Sequence, residues 1–409
     1  MGVSRRTVTR RGFLAGVGAA GVLAVAACAP EPPAPPPPPP GPPPSASTTL
    51  VLCYLHGGND GLNTVIPYTD AAYVSHRGPL ALGAANGVLP LADGFALHPA
   101  MPGFKALWDA GDAVIVRGVG YPSPDRSHFR STDIWDTARP DAVVNAGWIG
   151  GWLDTTADSL GAVCVTGSLE PALRGNTRVG IATGTGALAV PGTTAFRSAF
   201  TQLATPGTGD PLWAGVYVNA QSELLRAQTV LNPSLSAPNP TGSALGALTT
   251  GIGRQFAAVA RMIRDPNVPA RVFMTNQGSY DTHAGQLTTH ATLLGQLDAA
   301  VAAFHADLAG EPRADGVIVM LISEFGRRLT ANANGGTDHG TCAPVIITGR
   351  PVNGGFYGAA PSLTTLDAQG DPIFTTDFRS VYATVLARTL RADANAILGT
   401  SAFAPMTFV

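Results

Sequence analysis

Five segments of the sequence carry carboxylate, imidazole or hydroxyl groups that could bind a metal ion or react with a substrate. They are HGGND at 56–60, DRSH at 125–128, YDTH at 280–283, SEFGR at 323–327 and TDHG at 337–340. Carboxylate oxygens and neutral imidazole nitrogens are ligands that zinc, manganese and other divalent ions accept. A serine hydroxyl beside such an ion can act as a nucleophile. These residue types therefore predict metal-assisted chemistry.

Six residues are candidate metal ligands. They are Asp60, Asp281, His283, Glu324, Asp338 and His339. Taken alone, Asp60 has an ordinary explanation, because aspartate is common in glycine-rich turns. The Asp281-x-His283 pair also fits an Asx turn with a solvated imidazole, and Glu324 could simply form an ion pair with Arg327 or Arg328.

The Asp338-His339 pair lies among glycines, ahead of an apolar run that ends in glycine. His339 could be a loop histidine bonded to a backbone carbonyl, or it could be a metal ligand. The whole set favours the metal, because carboxylates crowded at one edge of a sheet repel one another unless a cation or protons neutralise them. We therefore predict a divalent metal site.

Ser127, His128 and Glu324 are the candidate catalytic residues. Ser127 stands at the start of a helical pattern, where the first N–H groups of the helix could bind an anion. Its ordinary role would be that of an N-cap. His128 could contact the metal or the substrate, and Glu324 could be a further ligand or a base.

Six apolar runs have the length of β-strands, at 49–55, 113–119, 162–166, 271–275, 317–322 and 344–348. They are continuous, which is typical of strands covered on both faces. Helical patterns occur at 99–110, 245–264, 287–308 and 377–398, with a short candidate at 221–231. Strands that alternate with helices predict an α/β fold with a mostly parallel sheet. In such sheets ligands bind at the carboxyl ends of the strands.

The composition indicates a globular protein without a nucleic-acid partner. The chain has 409 residues, of which 45% are hydrophobic, and its formal charge is −2. No basic patch of the kind that binds nucleic acid is present. We expect one folded domain at 49–409, with an irregular insertion near 170–240.

The first 28 residues are typical of an export signal. Arg10 and Arg11 precede the apolar run 13–27, which ends in Val-Ala-Ala-Cys28, a lipobox-like sequence. This pattern predicts the twin-arginine translocase as a partner and a lipid on Cys28 that anchors the protein to a membrane outside the cytoplasm. The alternative is ordinary signal cleavage with Cys28 lost. The proline-rich stretch 29–48 would then be a linker.

Several of these motifs also resemble a known family. In order they are YLHGGNDGLNTVIPY, GYPSPDRSHFRSTDIWDTA, GWIGGWLD, SYDTHAGQ, SEFGRR and GGTDHG followed by PVIITG. Together they resemble the exported bacterial family called domain of unknown function 1501, over most of residues 50–390. That family is similar to a branch of the alkaline phosphatase and sulfatase superfamily. The resemblance implies a three-layer α/β/α sandwich with one or two divalent ions, zinc, manganese or calcium, at the strand ends.

The resemblance also implies roles for single residues. Asp60, Asp281, His283 and His339 match metal ligands of the superfamily, and Ser127 matches its nucleophile. Glu324 stands where the superfamily usually has an Asp-His dipeptide, and Phe325 takes the place of that histidine. In an alternative register Asp338-His339 is the dipeptide. In either register one ligand of a second metal site is missing, which favours one metal, or a degenerate site, over the full two-metal arrangement.

Two functions from different classes follow. The first is hydrolysis of phosphate or sulfate esters, with an anionic small molecule or polymer as substrate. The second is a non-catalytic surface lipoprotein that uses the same fold for binding or assembly, since a fold does not fix a function.

Overall fold

The computed structural model describes residues 48–190, 192–203 and 212–409. These residues form two compact units. One unit contains residues 189–226, and the described part of the other comprises residues 48–188 and 227–409. All candidate metal and catalytic residues lie in the second unit.

The predicted export signal at 1–28 lies outside the described residues, as does the linker at 29–48 apart from Thr48. The translocase partner and the lipid on Cys28 therefore stay predictions. Within the described ranges, no helix is both long enough and apolar enough to cross a membrane.

The described strands agree with the predicted apolar runs to within a few residues. They are β1 (Thr49–Leu55), β2 (Val65–Ile66), β3 (Leu89–Pro90), β4 (Ala96–Leu97), β5 (Ala113–Gly120), β6 (Ala162–Cys164), β7 (Ile181–Ala182), β8 (Val272–Gln277), β9 (Val317–Ile322), β10 (Ala343–Thr348), β11 (Gly355–Tyr357) and β12 (Thr376–Asp377). The additional strands are two or three residues long, too short to produce a hydrophobic pattern.

The described α-helices lie between these strands. They are α1 (Gly61–Thr64), α2 (Ala71–Arg77), α3 (Pro102–Asp109), α4 (His128–Thr137), α5 (Trp148–Asp154), α6 (Thr194–Leu203), α7 (Leu212–Ser236), α8 (Gly251–Arg264), α9 (Gln286–Asp307), α10 (Phe378–Thr384) and α11 (Ala394–Leu398). The helix predicted at 377–398 is interrupted. A π-helical turn at Val385–Thr389 follows α10, and Asp393 then caps α11 through the N–H groups of Asn395 and Ala396.

Nine of the described strands form one sheet, in the order β11-β5-β10-β9-β1-β8-β6-β7 with β12 also paired to β5. β1 runs parallel to β8 and β9, β6 runs parallel to β7 and β8, and β5 runs parallel to β11 and β12. Among these strands β10 alone runs against its neighbours, β5 and β9. The mostly parallel sheet confirms the predicted α/β fold class.

Both faces of the sheet are covered, as the continuous apolar runs predict. All seven residues of β1 are buried. Its side chains alternate between two hydrophobic clusters, with Val51 and Cys53 in one and Leu50 and Leu52 in the other. Residues of α3, α8 and α9 belong to the first cluster, and residues of α4, α5 and α10 belong to the second. The three layers of an α/β/α sandwich follow from this arrangement.

Candidate metal centre

The reversed strand β10 brings the candidate residues to one edge of the sheet. The loops after β1, β5, β8 and β9 leave the carboxyl ends of strands that run in the same direction. Because β10 runs the other way, the residues that precede it also lie at this edge. Asp338 and His339 are such residues, and an isolated antiparallel bridge joins His339 to Arg327.

Three imidazoles converge on one carboxylate oxygen. Asp281 Oδ1 lies 3.0 Å from His283 Nε2, 3.1 Å from His339 Nε2 and 3.5 Å from His128 Nε2. Ligand atoms of His128, Asp281 and His339 all lie within 4.8 Å of one another. We call His128, Asp281, His283 and His339 the histidine cluster. It forms a possible site for a divalent metal.

The other ring nitrogen of each imidazole faces an acceptor. The distances are 2.7 Å from His128 Nδ1 to Glu324 Oε1, 2.9 Å from His283 Nδ1 to Asp338 Oδ1 and 2.7 Å from His339 Nδ1 to the carbonyl oxygen of Arg126. Ionised carboxylates and carbonyls only accept hydrogen bonds, so each Nδ1 must carry a proton. A neutral ring then has its lone pair on Nε2, on the side that faces Asp281. Metal-binding histidines are held in this way.

Without a cation or extra protons, the Nε2 lone pairs of the cluster have no partner to bind. The Nε2 atoms of His283 and His339 lie 3.0 Å apart, and two lone pairs cannot form a hydrogen bond. Within the described residues, His128 Nε2 is buried without a hydrogen-bond partner. Three imidazole nitrogens and one carboxylate oxygen are a donor set suited to zinc. The residues present therefore fit the metal that the sequence predicts.

The ionisation of the cluster agrees with this chemistry. Burial alone would raise the pKa of Asp281, but the hydrogen bond and charge of Arg327, together with the contact to His339, lower it to about 2. The carboxylate is therefore ionised at neutral pH. The hydrogen bond to Glu324 raises the pKa of His128 above its ordinary value of 6.5, so without a metal this ring takes up a proton more readily.

Glu324 and Asp338 orient histidines and do not point at the shared oxygen. Glu324 is 1% exposed, and its Oε1 accepts from Gly57 N at 2.8 Å as well as from His128. Asp338 Oδ1 accepts from Asn332 Nδ2 at 3.2 Å in addition to His283. Glu324 Oε1 and Asp338 Oδ1 thus lie against the Nδ1 atoms of two imidazoles, on the side away from Asp281. The sequence predicted them as metal ligands.

Asp60 lies outside the histidine cluster. Its carboxylate forms a buried ion pair with Arg77, with Nη2 2.8 Å from Oδ1, and it also accepts from Gln286 Nε2. Burial alone would raise the pKa of Asp60, but the charge and hydrogen bonds of Arg77 hold it below its ordinary value. Because Arg77 donates to both oxygens and the side chain is fully buried, the Asp60 carboxylate has no open side for a metal. In the structure Asp60 is thus part of a buried ion pair.

Arg327 ties three of the functional loops together. It is 2% exposed. One of its nitrogens donates to Asp281 Oδ1 at 2.6 Å. Its nitrogens also donate to four backbone carbonyls, those of Gly57, Gly58 (2.7 Å), Tyr280 (3.1 Å) and Thr337 (2.8 Å). The motif SEFGRR contains this arginine, but the sequence suggested only a pair with Glu324. Only the fold shows that one guanidinium holds the loops in place.

Gly57 is required where two of these loops meet. Its φ of 113° lies in the region that favours glycine, and a Cβ at this position would lie 2.5 Å from the backbone nitrogen of Asp281. Any side chain here would push the Asp281 loop away. The glycine therefore permits the close approach on which the cluster depends.

Ser127 lies beside the cluster at the start of α4. It is exposed, and its hydroxyl does not cap the helix. The carbonyl of Arg126 accepts from His339, and His128 belongs to the cluster, so Ser127 stands between two residues that contact it. The N-cap explanation gains no support from this geometry, and the nucleophile role stays a prediction.

A cavity of about 490 Å³ opens next to the cluster. His128, Asp281 and Glu324 line one part of it, and Phe129 and Asp136 of α4 line another. Ser279 also lies on the wall, with a φ of 76° that is unusual for a residue with a side chain. Backbone strain of this kind often occurs at functional sites. No sequence pattern pointed to Ser279 or Asp136, because each becomes notable only through its place in the cavity.

Comparison with known families gives one match, to the family described as protein of unknown function (DUF1501), over residues 213–398. The predicted resemblance is confirmed over this range, which contains the motifs SYDTHAGQ, SEFGRR and GGTDHG. The motifs HGGND and DRSH precede it. None of the curated proteins matches the chain.

Solved structures similar to the chain have low sequence identity to it. A sulfatase from Pseudoalteromonas sp. has 9% identity and a TM-score of 0.37, with 88% of this chain and 70% of that chain covered. An alkaline phosphatase superfamily protein from Vibrio parahaemolyticus has 10% identity and a TM-score of 0.37, with 89% and 69% covered. A phosphonoacetate hydrolase from Sinorhizobium meliloti has 12% identity and a TM-score of 0.30, with 69% and 57% covered.

Proposed function

We propose that this chain, whose residues 213–398 match the DUF1501 family, is an exported metal-dependent hydrolase of phosphate or sulfate esters. One observation carries the proposal. Three imidazoles have their Nδ1 atoms bound to acceptors and present Nε2 to a single Asp281 oxygen, beside an open cavity. Groups with perturbed ionisation beside a cleft are typical of active sites.

His128, His283, His339 and Asp281 would hold the metal. When bound, a divalent metal polarises an ester and makes a neighbouring hydroxyl or water a better nucleophile. Glu324 and Asp338 keep two of the rings in the required tautomer and orientation. Arg327 keeps Asp281 ionised and fixes the loops.

Ser127 would attack the ester from the start of α4. Its hydroxyl is exposed, and the first N–H groups of a ten-residue helix are suited to hold an anionic group. The leaving alcohol would occupy the cavity lined by Phe129 and Asp136. Attack by the serine would leave an esterified enzyme, which water then hydrolyses.

The direct test is metal analysis followed by assays with phosphomonoester, phosphodiester and sulfate ester substrates. We expect the purified protein to contain a divalent metal and to hydrolyse at least one ester class. A chelator should abolish that activity, and added metal should restore it. Metal content without turnover on any ester would instead favour the non-catalytic surface lipoprotein.

His339→Ala is expected to weaken zinc binding by about 100-fold or more. Loss of a residue that merely orients a ligand costs 10- to 100-fold in typical sites, and His339 would be a ligand itself. Competition with a chromophoric chelator measures the affinity. His76→Ala is the control, because His76 hydrogen-bonds to Thr330 outside the cluster. Equal zinc affinity in both variants would contradict the assignment.

The export part of the proposal rests on Arg10, Arg11 and Cys28. Replacing both arginines by lysine is expected to leave the precursor in the cytoplasm, because the twin-arginine pattern is read as an address. Cys28→Ala should release a soluble exported form. Cell fractionation with antibody detection measures both, and an unchanged membrane fraction in both variants would refute export by this route.

A further inference from the structure

The cavity beside the histidine cluster is lined by carboxylates and lacks a strong cation. Asp133, Asp136, Asp281 and Glu324 line it, and its lining residues, all within the described part of the chain, include no lysine or arginine. A cavity built for a second anionic group would place cations on its walls. The part of the substrate that enters it is therefore not an anion.

Three of the four carboxylates accept hydrogen bonds from neighbouring side chains. Asp281 Oδ1 accepts from Arg327 Nη2 at 2.6 Å, Glu324 Oε1 accepts from His128 Nδ1 at 2.7 Å, and Asp133 Oδ2 accepts from Arg130 Nη1. The fourth carboxyl group is that of Asp136.

Asp136 is a buried acid with an unpaired oxygen. It is 2% exposed, and its Oδ2 has no hydrogen-bond partner among the described residues. Burial, followed by the charges of Glu170 and Asp133, raises the pKa of Asp136 well above its ordinary value, and the exposed Arg174 opposes this. A buried acid without a hydrogen-bond partner makes folding less favourable, and a ligand that pairs with it would remove this cost.

We propose that the cavity binds the alcohol portion of the substrate through an ammonium group that pairs with Asp136. The claim that the substrate is an ester rests on the proposed function, whereas the pairing of an ammonium group with Asp136 does not. An ammonium that takes the place of the proton on Asp136 supplies both the positive charge and the hydrogen bonds that the ionised carboxylate would otherwise lack. Two rings at the same cavity, those of His56 and of the 90% exposed Phe129, add surfaces on which a cation can lie.

A volume of about 490 Å³ is sufficient for such an alcohol. Small-molecule sites in proteins typically range from roughly 300 to 1,000 Å³. The substrate would therefore be zwitterionic, with its anionic ester at the histidine cluster and its ammonium group at Asp136.

Ligand-observed NMR with the full folded chain tests the pairing without any need for turnover. Ethanolamine and ethylene glycol are matched probes, because they differ by an ammonium in place of a hydroxyl. We expect the wild-type protein to bind ethanolamine at least about tenfold more tightly, which corresponds to about 1.4 kcal/mol. Asp136→Asn should remove this preference, and Asp133→Asn should keep it because Asp133 already pairs with Arg130.

The Asn variant is nearly the same size as the acid and cannot ionise in its buried position, so we expect it to fold with a melting temperature at or above that of the wild type. A wild-type protein without preference for ethanolamine would overturn the proposal, as would an Asp136→Asn variant that keeps the preference. Turnover of 2-aminoethyl and 2-hydroxyethyl phosphate or sulfate separates the two claims. No turnover with the binding preference intact refutes only the hydrolase, and turnover without preference refutes only the ammonium site.

Discussion

Ser127→Ala is expected to lower ester turnover by about 1,000-fold or more while the bound metal is retained. Removal of a catalytic serine from an enzyme that forms a covalent intermediate has effects of this size or larger. The metal should be retained because the Ser127 hydroxyl is exposed, whereas the four residues of the cluster supply the ligand atoms. Steady-state kinetics and metal analysis of the same preparation measure both quantities.

Ser127→Thr is the matched variant, since it keeps a hydroxyl at the start of α4. We expect it to recover part of the lost activity, and mass spectrometry of the quenched wild-type enzyme should detect the ester on Ser127. Full turnover by Ser127→Ala would show that water is the nucleophile. The histidine cluster would then still be the metal site, but Ser127 would not be the nucleophile.

Arg327→Met is expected to lower the free energy of unfolding by about 3–5 kcal/mol, because several backbone carbonyls lose their donor and each unsatisfied buried group costs about 1–3 kcal/mol. The substitution leaves Asp281 without its closest cation and strips donors from the carbonyls of Gly57, Gly58 and Thr337. Urea denaturation followed by circular dichroism measures the change. Metal affinity should fall as well, because the loops that present the ligands are no longer tied.

The neighbouring arginine is a matched control for this prediction. Arg328 is partly exposed, and it pairs with Asp371, which Arg126 also neutralises. Arg328→Met should therefore cost less free energy of unfolding than Arg327→Met, because Arg126 keeps Asp371 paired. If the two variants are equally stable, Arg327 does not hold the loops.

Much of the architecture could be predicted because burial on both faces of a strand leaves a continuous apolar run. The runs at 49–55 and 317–322 correspond exactly in extent to β1 and β9. Segments after such runs must meet at one edge when the strands are parallel. The residue types that collect there, including Asp281 and His283, could thus be predicted from the sequence alone.

The direction of β10 could not be predicted from the sequence. A buried strand has the same apolar run whether it is parallel or antiparallel, so the sequence does not tell which end of it faces the site. Pairing with β5 and β9 decides this, and it moves Asp338 and His339 to the edge where the other loops end. Without that reversal His339 would lie far from Asp281.

The sequence by itself determined the α/β class, the edge of the sheet that carries the polar residues and the chemical types gathered there. Only the tertiary structure decided which carboxylate faces the imidazoles and which lies in a fully buried ion pair. Asp60 and Asp281 both follow buried strands, yet Asp60 pairs with the buried Arg77 whereas Asp281 meets three histidines. The physical reason is that local sequence sets the backbone and burial pattern, whereas the charge beside a carboxylate depends on segments brought together by folding.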